Sequence, residues 1–88
     1  MNPLVSIITP SYNSAKFIAE TIQSVQNQTH QNWEMIIVDD GSSDETESVV
    51  LSIIQNDNRI QFHKLSQNSG AAVARNTGIE KASGDYMT

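Results

Sequence analysis

Trp33-Glu34-Met35-Ile36-Ile37-Val38-Asp39-Asp40-Gly41-Ser42-Ser43 is an apolar, β-branched run that passes straight into turn-forming residues. Little polar alternation over that length is the pattern of a strand covered on both faces, which points to a parallel sheet between helices. Asp, Gly and Ser end such a strand because their side chains hydrogen-bond local backbone or permit positive φ. Upstream, Leu4-Val5-Ser6-Ile7-Ile8-Thr9 repeats the pattern, and Pro10 is expected to end that strand by removing a ladder donor. Between the two strands, Ser14 is placed to cap a helix from Ala15 to about Gln28, with Ile18, Ile22 and Val25 at helical spacing.

Downstream, Asp44 and Glu47 fit a capping box for a helix reaching about Gln55, striped by Val49, Val50, Ile53 and Ile54. Ile60 to Leu65 alternates more and reads as a third strand near a sheet edge. Asn68-Ser69-Gly70 is a loop, and Ala71 to about Ala82 is a small-residue helix ended by Ser83-Gly84. The last residues, Asp85-Tyr86-Met87-Thr88, read as the beginning of a strand. Strand and helix therefore alternate throughout, which predicts an α/β, doubly wound, mainly parallel sheet. Ligands of such sheets sit beyond the carboxyl ends of the strands, so Pro10 to Ser14, Asp39 to Ser43 and Ser66 to Gly70 form the candidate rim.

Composition narrows the function. A chain of 88 residues makes one domain at most, and Lys+Arg 5 against Asp+Glu 10 leaves no broad basic face for a nucleic-acid backbone. Nucleic acid is thus not expected as a partner. Cysteine is absent, which excludes disulfides and thiolate chemistry. Leu4 to Ile8 is too short to span a bilayer, and Met1-Asn2-Pro3 lacks the basic flank of a signal peptide, so a mature cytoplasmic N-terminus is expected.

The loop after the first strand, Pro10-Ser11-Tyr12-Asn13-Ser14, contains no glycine, so the dinucleotide fingerprint is missing; no Walker lysine follows a glycine-rich loop either. Tyr12 could stack its ring on a nucleobase or simply lie over the first helix. Asp39 and Asp40 are adjacent carboxylates, costly together unless a cation or N–H groups compensate them. One of them could accept the imide N–H of uracil, a proton cytosine lacks; alternatively the pair builds a turn and caps the next helix. Arg75, within Ala74-Arg75-Asn76, could meet Asp39 and Asp40 or a diphosphate, or form an ordinary surface salt bridge. His30 and His63 have no metal-ligand spacing and are expected to be solvated or partly packed.

Taken together, Val5-Ser6-Ile7-Ile8-Thr9-Pro10-Ser11-Tyr12-Asn13, Val38-Asp39-Asp40-Gly41-Ser42-Ser43-Asp44 and Asn68-Ser69-Gly70 through Ala74-Arg75-Asn76-Thr77-Gly78-Ile79 resemble the inverting family 2 glycosyltransferases over essentially the whole chain. The resemblance implies the N-terminal half of a GT-A, Rossmann-like domain and transfer of a sugar from a nucleotide-sugar donor, often a UDP-sugar, with inversion. It also implies a saccharide or lipid-linked acceptor, a setting in cell-envelope polysaccharide biosynthesis, and in the full-length protein a place at the cytoplasmic face of a membrane. Carried over by position, Pro10 and Tyr12 line the base pocket, Asp40 contacts the uracil imide, Asp39 supports that turn, and Arg75 lies toward the base or diphosphate. A divalent metal, Mg or Mn, is implied on an Asp-x-Asp motif expected past Gly84-Asp85-Tyr86-Met87-Thr88, so this chain is expected to hold neither metal site nor catalytic residue and to be inactive alone. An unfinished fourth strand would expose an edge that favours self-association. A receiver-like phosphoacceptor domain also carries acidic residues at strand ends, though Leu65-Ser66-Gln67 offers no phosphoacceptor at the third. A noncatalytic nucleotide-binding module would use the same rim.

Overall fold

The computed structural model of the chain describes residues 3–84 and 86–87, the last two as backbone. Its elements are β1 (Val5–Ser11), α1 (Ile18–Gln26), β2 (Trp33–Asp39), α2 (Thr46–Ile54), β3 (Ile60–Lys64), α3 (Ala71–Lys81) and β4 (Tyr86–Met87). The strands form one sheet in the order β3-β2-β1-β4. Every pairing is parallel, with Ser11 opposite Asp39 and Asp39 opposite Lys64. The third strand lies at an edge, as its alternation predicts.

Side chains of β2 leave the sheet alternately. Trp33, Met35 and Ile37 pack with Ile18 and Ile22 of α1 and Val50 of α2 on one face. Ile36 and Val38 pack with Ile8 and Ala74 of α3 on the other. The sheet is therefore covered on both sides, and the doubly wound reading holds. Full burial of each such side chain stabilises by about 1.5 to 3 kcal/mol relative to exposure, and Ile36 and Ile37 have no exposed surface. Close approach of α3 depends on Gly78, where a Cβ would stand 2.6 Å from Cγ2 of Ile8.

Polar groups fix the opposite edge of the sheet. The Arg59 guanidinium lies 3.8 Å from the centroid of the Trp33 ring, pairs with Asp57 at 2.9 Å and donates to the carbonyl of Gln31. Glu34 Oε2 accepts from Ser6 Oγ at 2.5 Å and from Ser83 N at 2.6 Å. Ser6 Oγ accepts from Gly84 N. The segment entering β4 is thereby tied to β1 and β2, and a Cβ at Gly84 would come within 2.4 Å of Ser6 Oγ.

Three local expectations are corrected. Pro10 does not end β1, which continues to Ser11. Val5 N donates to Asn32 O and Ser11 O accepts from Asp40 N, so odd-numbered residues of β1 bond toward β2. The proline nitrogen, one residue out of phase, points away from β2 and costs no bond there. Ser14 does not cap α1 with its side chain: its carbonyl accepts Phe17 N and Ile18 N, a tight turn forms, and the helix starts at Ile18. The Asp44–Glu47 capping box is not made. Asp44 accepts from Thr46 N and Thr46 Oγ1, while Glu47 turns outward to Lys64 at 3.3 Å. Among the described residues no helix is long and apolar enough to cross a membrane.

Candidate functional site

Parallel pairing puts the ends of β1, β2 and β3 on one rim, and three connections leave it. The Asp40 amide donates to Ser11 O, and the Leu65 amide to Asp39 O, each at 2.8 Å. The ladder therefore continues into the loops and sets their heights relative to one another.

Asp39 faces inward and has no exposed surface. Its Oδ1 accepts from Ser11 Oγ at 3.0 Å and Ser42 Oγ at 2.5 Å, and its Oδ2 accepts from Ser42 N at 2.7 Å. A carboxylate so enclosed builds the turn from within, the supporting role expected of it, and offers a ligand no oxygen at the surface. Gly41 follows with φ +79°, and a Cβ there would press on Asn68 N at 3.2 Å. Only glycine meets both conditions.

Asp40 points across to the third loop. Its Oδ1 accepts from Ser69 N at 2.7 Å and its Oδ2 from Gly70 N at 2.9 Å, while its carbonyl accepts from Asn68 Nδ2. The N–H-rich surroundings expected for adjacent carboxylates are thus supplied by backbone, and Gly70 reaches its position with φ +97°. A carboxylate has about four lone-pair sites. Two are used here, so Asp40, which is 5 % exposed, keeps acceptor capacity.

Tyr12 leaves the end of β1 with its side chain 51 % exposed. Pro10 is half-buried in the strand below it. Asn13 has φ +49°, and its Oδ1 accepts from Ser43 N at 2.9 Å. Sequence reading quoted Asn13 without a role; the available signal was that Asn tolerates left-handed backbone in loops. Asp44 joins the same lacing through Ala15 N at 3.2 Å. The Thr46 hydroxyl first, then amide donors, hold its carboxyl below the ordinary range.

Arg75 is exposed on α3. The expectation that it meets Asp39 or Asp40 is corrected, because it forms no ion pair among the described residues, and both carboxylates are already enclosed by nearer donors. His30 bonds the Pro3 carbonyl. His63 shares a hydrogen bond with Gln61, and burial, with the charge of Lys81, pushes its pKa down. No group of three or more His, Cys, Asp or Glu among the described residues could hold a metal ion. A cavity of about 460 Å³ lined by residues 54–59 opens at the start of β3. It sits at the pole opposite the rim, within one turn of chain.

Comparison with known proteins sharpens this geometry. Residues 6–88 match the model of glycosyl transferase family 2. A Bacillus subtilis glycosyltransferase provisionally named TuaG, for teichuronic acid biosynthesis, is 52 % identical over 85 residues, covering 97 % of this chain and 34 % of its own length. The Escherichia coli protein named UDP-Glc:alpha-D-GlcNAc-diphosphoundecaprenol beta-1,3-glucosyltransferase WfgD is 46 % identical, with 96 % and 32 % covered. The chain thus spans about a third of the length of these relatives. Among solved structures, the Staphylococcus aureus TarS 1-349 complex with UDP superposes with TM-score 0.86 at 31 % identity, covering 94 % of this chain and 25 % of TarS 1-349. The Pyrobaculum calidifontis mannosyltransferase PcManGT, in complex with GDP-Man and Mn2+, gives 0.91 at 27 % identity, covering 99 % and 26 %. These neighbours are GT-A glycosyltransferases, and the receiver-like alternative gives way to them. The parallel sheet, the Asp39-Asp40 turn at its rim and a match over residues 6–88 agree: the chain belongs to glycosyl transferase family 2.

Proposed function

We propose that this chain supplies the nucleotide-binding part of an inverting glycosyltransferase whose donor is a UDP-sugar. The observation that carries the reading is Asp40, fixed by the Ser69 and Gly70 amides with acceptor capacity left over, on the rim where the β1 end that its amide bonds at Ser11 leads into the half-exposed Tyr12. Its carboxylate accepts the imide N–H of uracil, Tyr12 stacks on the base and Pro10 lines the pocket floor. Asp39 acts only through the turn it holds. Arg75, which forms no ion pair among the described residues, extends toward the base or the diphosphate. The TarS 1-349 structures in complex with UDP and with UDP-GlcNAc support this donor class. GDP-Man in another neighbour marks the competitor, since guanine also presents a ring N–H to a carboxylate.

In the reaction so proposed, an acceptor hydroxyl attacks the anomeric carbon from the face opposite the nucleotide, and the diphosphate departs with the glycosidic electron pair. This chain's residues bind and orient the base end of the donor. The catalytic base and a divalent ion, Mg or Mn, which would neutralise the leaving diphosphate, belong to residues past Thr88, where an Asp-x-Asp motif is expected. The described residues do not fit a metal, having no three ligands together. The lipid-linked acceptor in the name of WfgD and the teichuronic acid assignment of TuaG support a saccharide or lipid-linked acceptor in cell-envelope polysaccharide synthesis at the cytoplasmic face of the membrane.

Calorimetric titration of the full-length protein with UDP, GDP and CDP tests the donor. UDP is expected to bind more tightly than CDP, and Asp40→Asn to weaken UDP by about 1 to 3 kcal/mol, the usual scale for a disturbed charged hydrogen bond. Unchanged UDP affinity in that variant would return Asp40 to turn-building alone.

A further inference from the structure

We infer that Asn13 is the positioning residue of the donor site, acting through Tyr12: its left-handed backbone and side-chain oxygen clamp the β1–α1 connection onto the β2–α2 turn, so that the ring is presented from a fixed base. The inference rests on the nucleotide-binding reading above. Asn13 has φ +49°, a region most L-residues avoid and which persists only where the surroundings enforce it. Its amide donates to Ser42 Oγ at 2.7 Å. Its Oδ1 accepts from Ser43 N at 2.9 Å and Asp44 N at 3.3 Å, with Ser43 Oγ at 3.5 Å.

The next two amides continue the clamp. Ser14 N donates to Thr46 Oγ1 at 2.9 Å and Ala15 N to Asp44 Oδ2 at 3.2 Å. Consecutive backbone N–H groups of one loop are thus all received by the other. Ser42, which takes the Asn13 amide, itself donates to the buried Asp39, so the clamp is founded in the sheet. A glycine would adopt the same φ with less strain, but it has no oxygen to receive the Ser43 and Asp44 amides. Asparagine meets both requirements, as only aspartate otherwise would. Tyr12 lies one residue before this clamp and its ring is only half covered. At that exposure the backbone that carries Tyr12 sets the Cα–Cβ direction from which the ring's rotamers start. A base that stacks on a preset ring binds without first ordering the loop.

A double-mutant cycle in the full-length protein, read as UDP affinity by calorimetry, tests this role. Asn13→Gly, which keeps the backbone geometry and deletes the oxygen, is expected to weaken UDP about tenfold by releasing the preset loop. Asn13→Asp, which keeps the acceptor, is expected to stay within about threefold of wild type. In a Tyr12→Ala background, Asn13→Gly is expected to cost less than about twofold more, because its effect runs through the ring. An undiminished tenfold loss without the ring, or wild-type affinity in Asn13→Gly itself, would overturn the inference. Should the glycine variant fail to fold, Asn13→Ser, whose hydroxyl is too short to receive both amides, enters the same cycle with the same criteria. A wild-type protein that binds no UDP would instead refute the nucleotide reading on which the role depends.

Discussion

Asp39 and Asp40 are adjacent in the chain and nearly equal in burial, yet their oxygens face different loops. Asp39 is closed off by Ser11 and Ser42 inside the turn; Asp40 reaches the amides of Ser69 and Gly70. The two should respond to amide substitution differently. Asp39→Asn can keep the Ser42 N–H on its remaining oxygen and turn its N–H₂ toward the Ser11 and Ser42 hydroxyls, but it removes the charge behind three buried bonds, a loss of about 1 to 3 kcal/mol. Urea unfolding of the full-length protein should show that loss, with UDP affinity falling only as the turn loosens. Asp40→Asn sets its N–H₂ against the Ser69 or Gly70 N–H whichever way it turns, and should register in stability as well as in UDP binding. The adjacency of the carboxylates and their need for donors were legible in the sequence, because like charges demand compensation. Which loop supplied the donors was not legible: that depends on amides of Ser69 and Gly70, about thirty residues downstream, brought near only by parallel pairing of β2 with β3. Arg75 forms no ion pair with either among the described residues: serine hydroxyls and the Ser42 amide surround Asp39, and the Ser69 and Gly70 amides hold Asp40.

Among the elements, apolar pattern identified β1, β2, β3, α1 and α2, while α3 was legible from its small residues and its flanking Gly70 and Gly84; the ends were decided by contacts outside each segment. The start of α1 was misjudged because the Ser14 carbonyl, not its hydroxyl, receives the first amides, while the Ser14 amide is spent on Thr46. The small residues of α3 were legible as a helix; their purpose, close approach to β1, was not. Gly78→Ala would bring a Cβ to 2.6 Å from Ile8 Cγ2, and overpacking of that kind costs about 1 to 3 kcal/mol. Thermal unfolding of the full-length protein is expected to show a lowered midpoint. At the other pole, Arg59 joins the α2–β3 connection to β2 through Trp33 and Asp57. Its guanidinium holds the Asp57 carboxyl far below its ordinary 3.8. The folded-state pKa is depressed, so this contribution to stability is fully present above about 3.8 and is lost as pH falls below it. Acid titration of unfolding free energy should show that loss in wild type. Arg59→Met should flatten it in the same window, and an identical acid profile in both proteins would remove the pair from the account.

At the scale of the whole molecule, the chain spans about a third of the relatives it matches, and its described residues hold no metal cluster at the proposed donor rim. A nucleotide diphosphate can bind a metal tightly only where oxygen ligands hold the ion against the phosphates. The two carboxylates at the rim do not make such a site: Asp39 is wholly enclosed, and Asp40, held in place by two amides, belongs to no group of three or more His, Cys, Asp or Glu that could hold an ion among the described residues. Moving either toward an ion would strip the β2–α2 turn or the start of α3 of its anchor. The base end of the donor and the metal end are therefore expected to be held by different parts of the parent protein, joined through β4, which runs parallel to β1 toward the same rim. Beyond Ser6, β1 has no partner on its β4 side among the described residues, and an open edge of that kind promotes pairing between copies. The 88-residue chain taken alone is accordingly expected to self-associate as its concentration rises, to transfer no sugar, and to bind UDP with the same affinity in the presence or absence of Mn²⁺. Sedimentation, donor turnover and UDP titration with and without Mn²⁺ check these three outcomes. Sugar transfer above background, or affinity that tightens about tenfold with metal, would place a working ion site within these residues and require Asp39 or Asp40 to leave the partners described here.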